Sequence, residues 1–196
     1  MVSSTVEFYN NNSYEFYNNT ISAEMDSLYK SFLEYVVPGG KILDAGCGSG
    51  RDSLYFKNQG FSVTAFDASE EMVKLSSRLI KQEVLLMRFE ELKLDEQYDG
   101  IWACASLLHV RRQDSVNVIR NLAKFLKGTG VFYMSFKYGD KEYEKDGRYF
   151  NCFDEENFKA VILQIPELSI EKINITIDVR PGRNEEYWLN CYLIKK

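Results

Sequence analysis

The sequence predicts an α/β fold: a mostly parallel sheet with helices on both faces and an antiparallel hairpin at one edge. Three observations carry this prediction. Short apolar, β-branched runs alternate with helical segments of about 10–15 residues between Lys41 and Phe136, the pattern of parallel strands joined by crossover helices. The first run closes in a glycine-rich turn, Gly46-Cys47-Gly48-Ser49-Gly50. The last two runs, Leu168 to Asp178 and Tyr187 to Ile194, have no helix between them, which makes them an antiparallel pair.

Met1 to Asn12 is polar and reads as a mobile tail. Ser13 to Val37 is helical, with Met25, Leu28, Phe32 and Leu33 on one stripe, and Pro38-Gly39-Gly40 ends it in a turn. Lys41 to Gly46 is the first strand, and Gly50 to Gln59 a helix with Gly60 as its C-terminal cap. Ser62 to Asp67 is the second strand. Ser69 caps the following helix, where Glu70 and Glu71 face the positive end of the dipole. Glu83 to Phe89 and Tyr98 to Ala105 are further strands, and Gln113 to Lys127 is a helix stopped by Gly128. Val131 to Phe136 is a fifth strand, followed by a long polar and aromatic loop, Lys137 to Phe150. Asp154 caps a last helix, whose inner face is Phe158, Val161, Ile162 and Ile165.

A chain of 196 residues fits one domain, 1–196, and can bury roughly two-thirds of its unfolded surface. Its 45% hydrophobic and 27% charged residues are ordinary for a globular protein. The net charge of −5 argues against non-specific nucleic-acid binding, and Arg111-Arg112 and Arg180 to Arg183 read as solvated loop charge. Four dispersed cysteines and one histidine leave no Cys/His zinc cluster, so no metal is expected. Without a signal-peptide apolar region or a run near the ~18 apolar residues of a membrane span, the expected compartment is cytoplasmic. Monomer and dimer are both open.

The glycine turn carries the chemistry. Ligands of open α/β sheets bind outside the carboxyl ends of the strands, where strand order reverses. A dinucleotide loop has the spacing G-x-G-x-x-G, whereas here Arg51 stands where the third glycine should be. Asp44 before the turn would repel a pyrophosphate and suits a cationic amino-acid end instead. Asp67 ends the second strand, 21 residues after Gly46, where a carboxylate can accept both ribose hydroxyls of an adenosine group.

With these residues the chain resembles the class I S-adenosylmethionine-dependent methyltransferases over nearly its whole length. Lys41 to Gly50 is similar to their first motif, Asp67 to the acidic residue of the second, and Tyr98 to His109 to the fourth. The run GSGRDSLYFKNQGFSVTAFDAS is similar to the tellurite-resistance TehB-like branch, and WACASLLHV, YMSFKYG, GRYF and DVRPGR…WLN to a TehB-related subfamily. The resemblance implies a Rossmann-like methyltransferase fold with a seven-stranded, mostly parallel sheet. It divides the chain into an N-terminal helical lid (1–37), a cofactor-binding core (38–136), and a substrate loop with the C-terminal hairpin (137–196).

It also implies residue roles, with S-adenosyl-L-methionine as cofactor. Asp44, Gly46 and Gly48 would contact the methionine portion, beside Arg51 and Asp52. Asp67 would hold the ribose, Ala68 and Met72 would flank adenine, and Glu90 after Phe89 would place a polar group near its amino group. Ala103 and Leu107 would lie beside the reacting methyl. His109, the single histidine, is the candidate general base. Tyr138, Arg148 and Tyr149 are candidate acceptor contacts from the long loop, joined by Arg180, Arg183, Trp188 and Asn190 from the hairpin. Tyr9, Phe16 and Tyr17 are candidate lid residues. The acceptor expected is a small molecule or a chalcogen oxyanion such as tellurite. The competing readings are a tRNA-modifying methyltransferase, a nicotinamide-dependent oxidoreductase and a non-catalytic cofactor-binding module.

Overall fold

The structure, a computed structural model, describes residues 2–196. Strands β1 (Lys41–Ala45), β2 (Ser62–Asp67), β3 (Leu85–Leu86), β4 (Tyr98–Ala103) and β5 (Leu126–Lys137) pair in parallel, in the order β3-β2-β1-β4-β5. A two-stranded hairpin follows, β6 (Glu142–Lys145) with β7 (Arg148–Asn151). Then β8 (Leu168–Ile177) and β9 (Tyr187–Lys195) complete the seven-stranded sheet, with β9 antiparallel to both β5 and β8. The expected sheet and its antiparallel edge are therefore present. Strand order reverses between β1 and β4, and the site lies at their carboxyl ends.

Period-two alternation builds a core on each face. Ile42 and Trp102 face α3 (Asp26–Leu33) and α4 (Arg51–Asn58), meeting Phe32 and Phe56. Leu43 and Ile101 face α6 (Arg112–Ala123) and α7 (Glu155–Ile162), meeting Val118, Leu122 and Phe158. The expected caps form: Ser69 Oγ accepts from Met72 N–H at 3.2 Å to start α5 (Glu70–Ile80), and Asp154 Oδ1 accepts from Asn157 N–H at 2.8 Å. Gly60, at φ +88°, closes α4 with paired bonds from Gly60 N–H to Lys57 and Phe61 N–H to Phe56.

Five local expectations are corrected. The polar start of the chain forms helix α1 (Ser3–Asn11), followed by α2 (Ser13–Thr20); 13–37 is not one continuous helix, because the chain breaks between α2 and α3. The α1 sequence is a poor helix former, so tertiary contacts decide: Thr5 Oγ1 accepts from Tyr149 N–H at 3.0 Å, and Asn10 Oδ1 from the Ser69 hydroxyl at 2.7 Å. The third strand shrinks to Leu85–Leu86, since it pairs only with Phe66 and Asp67 at the sheet edge. Helix α6 stops at Ala123, and Gly128 lies inside β5, because Tyr98 N–H bonds Phe125 O at 2.7 Å and draws the chain into the sheet. The segment 137–150 is largely the β6–β7 hairpin rather than a loop. Its turn, Asp146-Gly147, has φ of +52° and +76°, the primed geometry that Asp-Gly favours.

Candidate active site

The site begins where β1 runs out. Gly46 turns the chain at φ +81°, and the N–H groups of Gly46 and Cys47 both donate to Phe66 O, at 2.9 and 3.0 Å. The Ser106 hydroxyl, from the loop after β4, donates to Ala45 O at 2.7 Å. A Cβ on Gly46 would sit 2.6 Å from Ser106 Cβ. Gly46→Ala combines that clash with a left-handed backbone, and is expected to cost about 1–3 kcal/mol, read as a fall in thermal midpoint. A melting curve identical to wild type would refute the tight approach.

Three carboxylates stand around this turn in different states. Asp67 Oδ2 accepts Gly48 N–H and Oδ1 accepts Ser69 N–H, both at 2.9 Å. Burial raises its pKa and those bonds oppose the rise. The Ala68 N–H opposes the rise as well, and the carboxylate keeps acceptor capacity for a ligand's hydroxyls. Asp52 has three donors: Tyr29 Oη and Arg51 Nε to Oδ1, both at 2.5 Å, and Trp102 Nε1 to Oδ2 at 2.8 Å. Burial works to raise Asp52, but Arg51 and the other donors outweigh it and hold the carboxyl below the usual range. Asp44 lies beneath, receives the Ser53 hydroxyl at 2.6 Å, and is held well above the usual range by burial and by Asp52.

The facing wall comes from the N-terminal helices, the loop after β4, the hairpin and the last strands. His109, in a short 3-10 turn (Leu107–His109), is buried. Its Nδ1 lies 2.6 Å from Tyr149 O and its Nε2 2.9 Å from Tyr9 Oη. The carbonyl can only accept, so Nδ1 carries the hydrogen and the Tyr9 hydroxyl donates to Nε2. Burial, with the cation of Arg148 nearby, pulls the imidazole pKa down to about 3, and burial pushes Tyr9 up to about 12. Asp178 accepts from Arg180 Nε at 2.9 Å and from Trp188 Nε1 at 3.0 Å, while Lys137 and Arg183 both pair with Glu186.

These walls enclose one cavity of about 530 Å³. Of the residues expected to hold the cofactor, Gly46, Gly48, Arg51, Asp52, Asp67 and Met72 line it. Asp44, Phe89, Ala103 and Leu107 do not; all four are buried behind it. Ala68 is half-buried beside it, and Glu90 is exposed outside it. His109, Arg148, Arg180, Arg183, Trp188 and Asn190 line the facing wall, and Tyr9 and Phe16 the roof. Tyr17 does not reach it. Tyr138 points to Glu155, 2.9 Å away, and Tyr149 turns its ring to Glu142 and contributes its backbone to His109. Sequence reasoning missed Cys104, Ser106, Ser135, Tyr143 and Asp178. An Asp-Gly turn signal could have found the hairpin that carries Tyr143; the others give no local sign.

A glycine turn at the strand-order reversal, with an aspartate ending the next strand, defines a class I S-adenosylmethionine-dependent methyltransferase fold. The family model for "Tellurite resistance protein TehB" matches residues 7–160, and the chain belongs to that family. It is 32% identical over 100 residues to a ubiquinone biosynthesis O-methyltransferase of Rickettsia akari, covering 48% of this chain and 39% of that one. It is 30% identical over 87 residues to a probable S-adenosyl-L-methionine-dependent methyltransferase TehB of Haemophilus influenzae, covering 42% and 30%. The match thus spans less than half the length of either relative. In fold the chain is similar to the 1,6-didemethyltoxoflavin-N1-methyltransferase of Burkholderia thailandensis, with TM-score 0.77, 21% identity, and 99% and 86% of the two chains covered.

Proposed function

We propose that the chain transfers a methyl group from S-adenosylmethionine to a small-molecule acceptor. The observation that carries this is one cavity shared by two chemically different walls: the Gly46–Gly50 turn with Asp67 on one, and the Arg148 and Arg180 side on the other. The residues present fit the cofactor. Gly48 has no side chain between its backbone and the cavity, with the Phe16 ring of the roof 3.4 Å from where a Cβ would sit, and Asp67 retains acceptor capacity for ribose hydroxyls. Met72 offers an apolar side for adenine. When bound, the cofactor supplies an electrophilic methyl on a sulfonium.

This chain's own part is placement and exclusion of water. Holding the two reactants in line supplies most of the advantage for such a displacement. Helices α1 and α2 roof the cavity through Val6, Tyr9, Phe16 and Thr20. In this reading His109 is a positioning residue: it grips the Tyr9 hydroxyl and so holds α1 in place. With Nδ1 and Nε2 both engaged, it does not meet the acceptor directly.

The Burkholderia neighbour carries 1,6-didemethyltoxoflavin together with S-adenosylhomocysteine, which supports a small organic acceptor. The family's name supports tellurite as the alternative. Calorimetry with S-adenosylmethionine and with NADH tests the cofactor; NADH binding without S-adenosylmethionine binding overturns the reading in favour of an oxidoreductase. Turnover of methyl-labelled cofactor on selenite, tellurite, small carboxylates and tRNA tests the acceptor. Asp67→Ala removes a charged acceptor of two hydroxyls, so S-adenosylmethionine affinity is expected to fall by about 1.5–3 kcal/mol. Unchanged affinity by calorimetry would remove the ribose assignment.

A further inference from the structure

The cations of the acceptor wall are not equivalent. Arg180 spends its guanidinium fork on Asp178, through Nε at 2.9 Å and a second contact from Nη2. Lys137 and Arg183 share Glu186. Arg148 has Asp146 as its ion-pair partner among the described residues, 3.8 Å away and 61% exposed, and also meets the Tyr9 hydroxyl, but its Nε is a buried donor with no hydrogen-bond partner among them. A buried donor without a partner is rare in native proteins and asks for a ligand. The guanidinium is also held by its surroundings, 4.3 Å from the Phe8 ring centre and 5.3 Å from that of Phe150. Aromatic rings on an arginine leave its in-plane donors to recognise a planar anion.

We propose that Arg148 anchors a carboxylate carried by an organic methyl acceptor, a proposal that rests on the methyltransferase reading above. Two observations favour this class over an inorganic oxyanion. A chalcogen oxyanion of double charge wants several open cations, yet Arg180, Lys137 and Arg183 are compensated by Asp178 and Glu186, and Lys145, the cation opposite Arg148 in the hairpin, is exposed to solvent. The wall around Arg148 is also aromatic, with Tyr143, Phe150 and Trp188, and an inorganic ion would leave those apolar surfaces uncovered. A carboxylate on an organic body meets both: the charge on Arg148, the body on the rings. The hairpin carries Arg148 and Tyr143 together, so β6 and β7 set the acceptor's orientation relative to Asp67 on the far wall.

The test is calorimetry on protein saturated with S-adenosylhomocysteine, titrated with benzoate, benzamide and selenite. Benzoate is expected to bind about tenfold or more tightly than benzamide, the neutral isostere. Arg148→Gln is expected to weaken benzoate about tenfold to a hundredfold while leaving S-adenosylhomocysteine affinity unchanged, which also reports that the variant is folded. Arg148→Lys keeps the charge without the fork and should recover only part of the loss. Equal binding of benzoate and benzamide, no benzoate binding at millimolar concentration, or indifference to Arg148→Gln overturns the proposal. Selenite binding more tightly than benzoate, with the same dependence on Arg148, overturns the organic class. The titration is repeated without S-adenosylhomocysteine, so a failure to bind that molecule sinks the methyltransferase reading separately from the anion site.

Discussion

Replacing Asp52 with alanine is expected to destabilise the protein by about 3–5 kcal/mol, because it strands a buried cation. Asp52 is buried, and the Arg51 side chain paired with it is only 19% exposed. The same carboxylate accepts from Tyr29 on α3 and Trp102 on β4, so three elements meet on it. Arg51 also donates to Thr20 O at 3.3 Å, which ties α2 to the cofactor turn. Loss of the carboxylate therefore leaves donors on Arg51, Tyr29 and Trp102 to be satisfied by a cavity. Asp52→Asn keeps the volume but not the charge and is expected to recover only part. Urea denaturation reads the effect, and a loss under about 1 kcal/mol would mean that the pair behaves as a surface one.

Acidification is the second large effect, and the single histidine makes it separable. The folded-state pKa of His109 is lowered to about 3, against about 6.5 for an unfolded imidazole. Between those values the unfolded chain binds a proton that the folded chain refuses, so stability falls as pH falls below about 6.5. From pH 7 to about 4.5 this one group costs about 2–3 kcal/mol. The groups facing it are Tyr9 on α1 and Arg148 on β7, and burial pushes Tyr9 up to about 12, so the step in this window belongs to the imidazole. Asp44 and Asp67, with raised pKa values, act with the opposite sign, so the quantity to read is the difference between wild type and His109→Gln. The variant's stability should depend less on pH over this window. Parallel stability curves for the two proteins would contradict a buried neutral imidazole.

Both effects come from groups whose identity was visible in the chain but whose state was not. Asp52 reads locally as an acidic residue in the first turn of a helix, and His109 as a candidate base. The three donors around Asp52 come from residues 23, 1 and 50 positions away, and the partners of His109 from 100 and 40 positions away. Apart from the adjacent Arg51, no local pattern encodes such distances. The same holds for Arg180 and Arg183, candidate acceptor contacts in sequence, which are compensated by Asp178 and Glu186 in space.

The amino-acid order by itself determined what depends on neighbours along the chain. Alternation through Ile42 and Leu43 set which residues face which core, Ser69 and Asp154 set helix starts, and Gly60 set a helix end. Gly46, Gly48 and Asp67 belong here too, because a tight turn and a strand end are short-range features. The tertiary structure alone decided where the polar start of the chain goes, where α6 stops, and which cation keeps an open donor. Those outcomes depend on burial and on charges brought together by the strand order. The glycine turn is legible because its geometry is local; the acceptor wall is not, because the fold assembles it from the N-terminal helices, the loop after β4, the hairpin and the last strands.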